Sequence, residues 1–174
     1  RVTDRTDACP DVPVLAQRDS VPYLGGSLRV QYAACNSRKG RWSLDEPAGL
    51  LRVELPDPTS DSWRIGALQS FEKQRTQELV QEYLRQYLPL FAERGVAAPA
   101  AVRFRIMQSR WGSCSGRTHS LSFNARLCER PHAFIEYVVV HELCHFLHGN
   151  HSADFWREVE RYLPDWQARR KLGD

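Results

Sequence analysis

Two histidines and a glutamate fall within five residues at His141-Glu142-Leu143-Cys144-His145, the H-E-x-x-H order that binds a metal when it lies on a helix. Residues four apart share a helical face, so both imidazoles can reach a single ion at about 2.0–2.1 Å. Glu142 is offset by one position. It cannot share that shell comfortably and is placed instead as general base for a zinc-bound water, whose pKa the ion lowers towards about 7. The chemistry this predicts is hydrolysis with one Zn2+ ion as cofactor, although such a site also suits other divalent ions. The competing reading is a helix carrying these side chains by chance. It loses ground because Val138, Val139, Val140, Leu143 and Leu147 surround them, and unpaired polar groups buried there would cost several kcal/mol.

A third ligand is required, and His148, His151, Glu158 and Glu160 are the candidates. His148 shares the face of His141 but lies about 7 Å along the axis beyond the midpoint of the first two ligands. His151 follows Gly149, where the helix can break and the chain turn back, so its ring can approach from outside the helix. His151 is therefore favoured, with the other three left as alternatives. The spacing from His145 to His151 equals that of the metzincin pattern, yet His148 stands where that pattern has glycine, and Met107, the only methionine, precedes the motif. The chain is not a metzincin.

The elements that must position these residues follow from periodicity. Leu28, Val30 and Tyr32 alternate with polar neighbours as in a half-buried strand, and residues 50–55 read as another, closed by the Pro and Asp cluster of residues 56–61. Helical spacing takes over from about residue 65 to 88 through Leu68, Phe71, Leu79, Val80, Leu84 and Tyr87, with Pro89 ending or kinking the helix. Two more strands are predicted at residues 102–106 and 119–124, joined by a loop rich in Ser and Gly. The motif helix opens at Pro131 and runs to about Leu147, stopped by Gly149 and Asn150. A last helix starts near Ser152 and buries Phe155, Trp156, Val159, Tyr162 and Leu163 before Pro164.

With Ser109-Arg110-Trp111-Gly112-Ser113-Cys114-Ser115, Leu121-Ser122-Phe123-Asn124, the motif itself, Asn150-His151-Ser152, Phe155-Trp156 and Leu163-Pro164-Asp165-Trp166, the chain resembles the YgjP-like metallopeptidase family, relatives of SprT-like and WLM-type proteins. The resemblance is close from about residue 101 to 166 and leaves out the first 25 residues. It implies an α+β fold of minimal zincin type, with a small, mostly antiparallel sheet packed on the active-site helix. It also implies that the third ligand is the histidine after the asparagine, His151. Peptide bonds are the default substrate, and nucleotide pyrophosphatase activity has been attached to the family as well. In this frame the strand at residues 119–124 is the sheet edge on which an extended peptide would lie, and Arg110, Ser113 and Asn124 are the candidate substrate-binding residues. Cys114 and Cys144 read as buried, inert thiols.

Composition sets limits on the alternatives. With 174 residues, 42% of them hydrophobic, the chain is expected to form one domain over residues 26–174 after an irregular lead-in at residues 1–25. Lys and Arg number 24 against 21 Asp and Glu, a net charge of +3, too balanced to argue for nucleic acid. Arg169, Arg170 and Lys171 read as a solvated helix end. Five cysteines without a C-x-x-C pair suggest free thiols in a reducing compartment, and with no apolar stretch long enough for a membrane the expectation is cytoplasmic. A pyrophosphatase would need Arg103, Arg105 and Arg110 gathered at the metal to bind phosphates. A non-catalytic module held together by zinc would need a closed, four-ligand site.

Overall fold

Alternation of apolar and polar residues lays down the first sheet, seen in a computed structural model that describes residues 19–173. Strands β1 (Ser20–Tyr23), β2 (Gly26–Ala34), β3 (Arg41–Asp45) and β4 (Leu50–Leu55) are arranged in the order β1-β2-β4-β3. β2 and β4 are parallel, with Val30 opposite Leu51 and Tyr32 opposite Val53, while both outer strands pair antiparallel. Leu24 and Gly25 close the β1–β2 hairpin with φ of 48° and 80°, the two positive values that a tight hairpin turn demands. Their amides bond to the carbonyls of Cys128 and Glu129, so the hairpin tip docks on a distant part of the chain. Strand β1 corrects the expected lead-in, since residues 20–23 belong to the sheet. Val21 and Tyr23 alternate with Ser20 and Pro22 over too short a stretch to read as a strand, and pairing with β2 supplies the order. The rest of the lead-in up to residue 18, Cys9 included, lies outside the described residues.

Helix α1 (Asp61–Ala92) buries Leu68, Phe71, Leu79, Val80, Leu84, Tyr87 and Phe91. Pro89 does not end it. The proline removes one donor, but its carbonyl still accepts from the Glu93 amide at 3.2 Å, and the helix completes a last turn before Gly95, at φ 79°, reverses the chain. Thr76 is the polar residue that makes structural sense of this face. Its hydroxyl donates to the Ala125 carbonyl at 2.8 Å and accepts from the Cys128 amide at 3.0 Å.

The second sheet comprises β5 (Ala101–Arg105), β6 (Gly112–Ser115) and β7 (Ser120–Asn124), ordered β5-β7-β6, with β5 parallel and β6 antiparallel to β7. Three of the five pairings are thus antiparallel, spread over two sheets rather than one. The expected edge at residues 119–124 is corrected here. β7 is the central strand, buried at all five positions, and β6 carries the edge instead, its Gly-Ser-Cys-Ser sequence having no alternation to betray a strand. Asn124 is corrected with it. Fully buried, it donates from Nδ2 to the carbonyls of Met107 and Arg110 at 2.8 and 3.2 Å and accepts from the Arg126 amide at 3.2 Å. It therefore pins the loop between β5 and β6 and is out of reach of a substrate.

Helices α2 (His132–Cys144), α3 (Ala153–Tyr162) and α4 (Trp166–Arg170) follow, with a 3-10 turn over Leu127–Glu129 before them and another over Lys171–Gly173 at the end. One apolar cluster runs from Val21 to Leu163 and joins both sheets to α1, α2 and α3. No helix among the described residues is long and apolar enough to cross a membrane. Replacing Asn124 by Ala leaves the buried Met107 carbonyl, the part-buried Arg110 carbonyl and the Arg126 amide each short of this partner, at about 1–3 kcal/mol for each buried group left unsatisfied. Urea unfolding of Asn124→Ala is expected to show a loss of at least about 2 kcal/mol.

Candidate metal centre and cleft

Helix α2 holds a β-branched run, Val138, Val139 and Val140, that is a poor helix former by itself. Burial on all sides compensates, because Phe134, Ile135, Tyr137 and all residues from 137 to 144 are shielded from solvent. Phe134 and Ile135 start the helix with amide bonds to the Pro131 carbonyl at 2.9 and 3.1 Å. The α-helical assignment stops at Cys144, earlier than the predicted Leu147. His145, however, keeps right-handed backbone angles as C-cap, so the i, i+4 relation to His141 survives. Gly149 and Asn150 then let the chain reverse into α3, whose cap Ser152 accepts from the Phe155 amide.

This reversal brings His151 back to the helix. One ring nitrogen each of His141, His145 and His151 lie within 4.8 Å of one another, and Nε2 of His141 and Nε2 of His151 are 3.0 Å apart. Tetrahedral coordination with metal–nitrogen bonds of about 2.0–2.1 Å puts ligand atoms roughly 3.3 Å apart, so the donor set fits a zinc-sized ion. The second ring nitrogens of His145 and His141 meet partners of the kind that orient metal-binding imidazoles. His145 Nδ1 donates to the His148 carbonyl at 3.1 Å, which leaves its Nε2 free, and the Tyr137 hydroxyl sits 3.4 Å from His141 Nδ1. Phe155 supports all three rings at centroid distances of 4.9, 4.6 and 4.8 Å. The other candidates for third ligand point elsewhere: Glu158 is bonded to Arg94 at 2.7 Å, Glu160 is exposed, and His148 contributes its carbonyl.

Burial depresses the pKa of His141 well below 6.5, with the neighbouring His145 and His151 adding to the effect, and burial lowers His145 as well. Both rings are thus kept neutral, the form in which imidazole binds metal. Glu142 is 6% exposed, and burial pushes its carboxyl up to about 8, against a downward pull from Arg110. Edge strand β6 presses directly on it. A Cβ at Gly112 would stand 2.6 Å from Glu142 Oε1, so only glycine fits there without moving the carboxylate.

A cleft of about 510 Å³ opens over the histidines and Glu142, walled by Arg110, Gly112, Ser113, Cys114 and Gly116 on the β6 side and by Gly149 and His151 on the other. Arg110 and Ser113 are therefore brought to the site, and Asn124 is not. Arg103 and Arg105 are exposed on β5, across β7 from β6, so the basic cluster that phosphate binding would need does not form. The thiol of Cys114 is pushed up to about 12 by burial and by Glu142, and Cys144 is fully buried with its thiol raised by burial. Gly112, Tyr137 and Phe155 are the functional neighbours that sequence reasoning missed. Tyr137 was accessible to it, lying one helical turn before His141.

A family profile described as YgjP-like, metallopeptidase domain, matches residues 4–172. It takes in most of the first 25 residues, which the sequence resemblance left out. No curated protein matches the chain. Two solved structures are similar: the metallopeptidase zymogen of Pyrococcus abyssi abylysin, at 21% identity over 56% of this chain and 87% of that one with a TM-score of 0.43, and that of Methanocaldococcus jannaschii jannalysin, at 22% identity over 56% and 90% with a TM-score of 0.43.

The pKa shifts carry opposite signs for stability in the metal-free protein. Glu142, raised from 4.5 to about 8, contributes stability that is complete below 4.5 and is lost as pH climbs to about 8. The histidines, lowered from 6.5, contribute stability that is present above 6.5 and lost as pH falls. In EDTA, Glu142→Gln is expected to abolish the fall in stability between pH 6.5 and 8, about 2 kcal/mol at roughly 1.4 kcal/mol per pKa unit. The fall below pH 6.5 remains. Thermal melts of both proteins across pH 5–8 measure this.

Proposed function

The chain belongs to the YgjP-like metallopeptidase family and is a metal-dependent hydrolase; from that premise we propose that it is a zinc peptidase in which His141, His145 and His151 hold the ion and Glu142 is the general base. The observation that carries the reading is the meeting of three imidazole nitrogens within 4.8 Å beside a buried carboxylate, at the floor of a cleft bordered by the β6 edge. When bound, the ion polarises a carbonyl, lowers the pKa of water towards about 7 and favours the ionised form of Glu142 by its charge.

The remaining chemistry belongs to the chain's own residues. Glu142 takes a proton from water and returns it to the leaving amine. Arg110, which favours the carboxylate of Glu142 and lines the cleft, is the cation assigned to the negative charge that develops on the scissile carbonyl. Ser113 lies in β6, whose free edge offers backbone donors and acceptors to an extended peptide by strand addition. The substrate is a peptide or protein. A nucleoside triphosphate is disfavoured because Arg110 is the one arginine or lysine lining the cleft among the described residues, whereas a triphosphate calls for several cations.

Elemental analysis of the wild type is expected to give one zinc per chain, and His151→Ala less. Glu142→Gln is expected to keep its zinc and lose on the order of 10²–10⁴-fold in hydrolysis of an unfolded protein. Undiminished hydrolysis by metal-loaded Glu142→Gln, or turnover of nucleoside triphosphates in place of protein, would falsify the reading. Gly112→Ala moves the carboxylate by a fraction of its own length. It is expected to retain zinc and thermal stability while kcat falls about 10²-fold, the scale of a 1 Å misplacement.

A further inference from the structure

His141 and His145 are held by a buried helix, whereas His151 sits on the exposed turn between α2 and α3. Beside its approach to His141 at 3.0 Å, its ring packs on aromatic neighbours. The imidazole stacks on Trp156 with centroids 5.5 Å apart and planes 20° apart, and Phe155 meets it edge-on. Trp156 in turn stacks on Trp166 at 4.3 Å and 16°, with the Arg170 guanidinium 5.8 Å from the Trp156 ring.

Trp166 and Arg170 both belong to α4, and α4 is tied back to α2. Arg169 donates to Glu136 at 2.5 Å and to Asp165 at 2.7 Å, and Glu136 also accepts from the Tyr87 hydroxyl at 2.5 Å. At the end of the same segment Gly173 lies against Phe134, where a Cβ would come within 2.1 Å of the ring. Glu136 and Phe134 occupy the first half of α2, and His141 and His145 its last turn and cap. The helix that carries two of the histidines thus anchors the segment that orients the third.

We propose that Trp156 and Trp166 are positioning residues for His151, and that residues 165–173 act as a clamp that sets the affinity of the metal centre. The inference rests on His151 being the third ligand. Stacking restricts the imidazole before the ion arrives, so less freedom is lost on binding. Partners of this kind, outside the ligands themselves, commonly change metal affinity 10–100-fold.

The test compares the wild-type chain with Trp156→Phe, Trp156→Ala, Trp166→Ala and His151→Ala. Zinc affinity is measured by competition with a chromophoric chelator, and the Co2+ forms are compared by visible absorption. Trp166→Ala is expected to bind zinc roughly 10-fold more weakly and Trp156→Ala up to about 100-fold more weakly, each with an altered Co2+ spectrum. Trp156→Phe, which keeps a stacking face, should stay near wild type. A purely structural role would lower the melting temperature of the metal-free variants and leave zinc affinity and the Co2+ spectrum untouched. That result in Trp166→Ala, alongside weakened binding in His151→Ala, overturns the clamp, whether or not Trp156→Ala folds. Undiminished binding in His151→Ala overturns instead the assignment of the third ligand on which the clamp depends.

Discussion

Desolvation of two imidazoles and a carboxylate on α2 is the constraint to which the other elements answer. A helix with three consecutive valines holds its shape only inside a core, so it must be buried. Burial then penalises every charge it carries. The helix resolves the conflict along its length. Its first half is apolar apart from His132, which meets the Tyr83 hydroxyl, and Glu136, which is paired with Arg169 and Tyr87, and the side chains of the metal site are gathered at the end that opens on the cleft. Keeping the histidines neutral is useful for metal binding, and a carboxyl held near 8 is one whose proton affinity responds strongly to a nearby cation.

The rest of the fold serves to keep that end open and everything else shut. α1 lies along α2 and, through the two bonds of the Thr76 hydroxyl, fixes the segment that leads from β7 into α2. The first hairpin caps the same segment through its tip. The buried Arg126–Glu129 pair, at 2.6 Å, completes the joint. These contacts are polar and directional, and they specify where the helix begins more sharply than apolar packing alone would.

Legibility in the sequence followed periodicity and spacing. Helix α1 and strands β2, β5 and β7 announce themselves because apolar residues recur at a regular interval, and β4 and the motif helix because each is a predominantly apolar run. Strands β1 and β3 alternate over only two apolar residues each, Val21 and Tyr23 in one and Trp42 and Leu44 in the other, and β6 carries no alternation; pairing with a neighbour makes them strands, and pairing is not written locally. The same distinction runs through the site. His141, Glu142 and His145 are related by a helical turn and could be read directly, and His151 through the break at Gly149. Asn124 looked like a ligand for substrate because a polar residue at a strand end is ambiguous until its partners are known. Those partners, the carbonyls of Met107 and Arg110, belong to a loop with no pattern of its own. Gly112 was hidden for a related reason, since its significance is the side chain it does not have.

The approach of β6 to Glu142 at Gly112 also gives the cleft a ruler. Strands in a sheet lie about 4.8 Å apart, and their side chains repeat every two residues, about 6.8 Å. A peptide added to the β6 edge therefore advances past the carboxylate in steps of two residues. Shifting it by one would turn its side chains to the opposite face and exchange the inward and outward sets. Under the proposed function, the bond presented to Glu142 would be chosen by backbone pairing counted from residue 112, with the substrate's side chains deciding between the permitted steps.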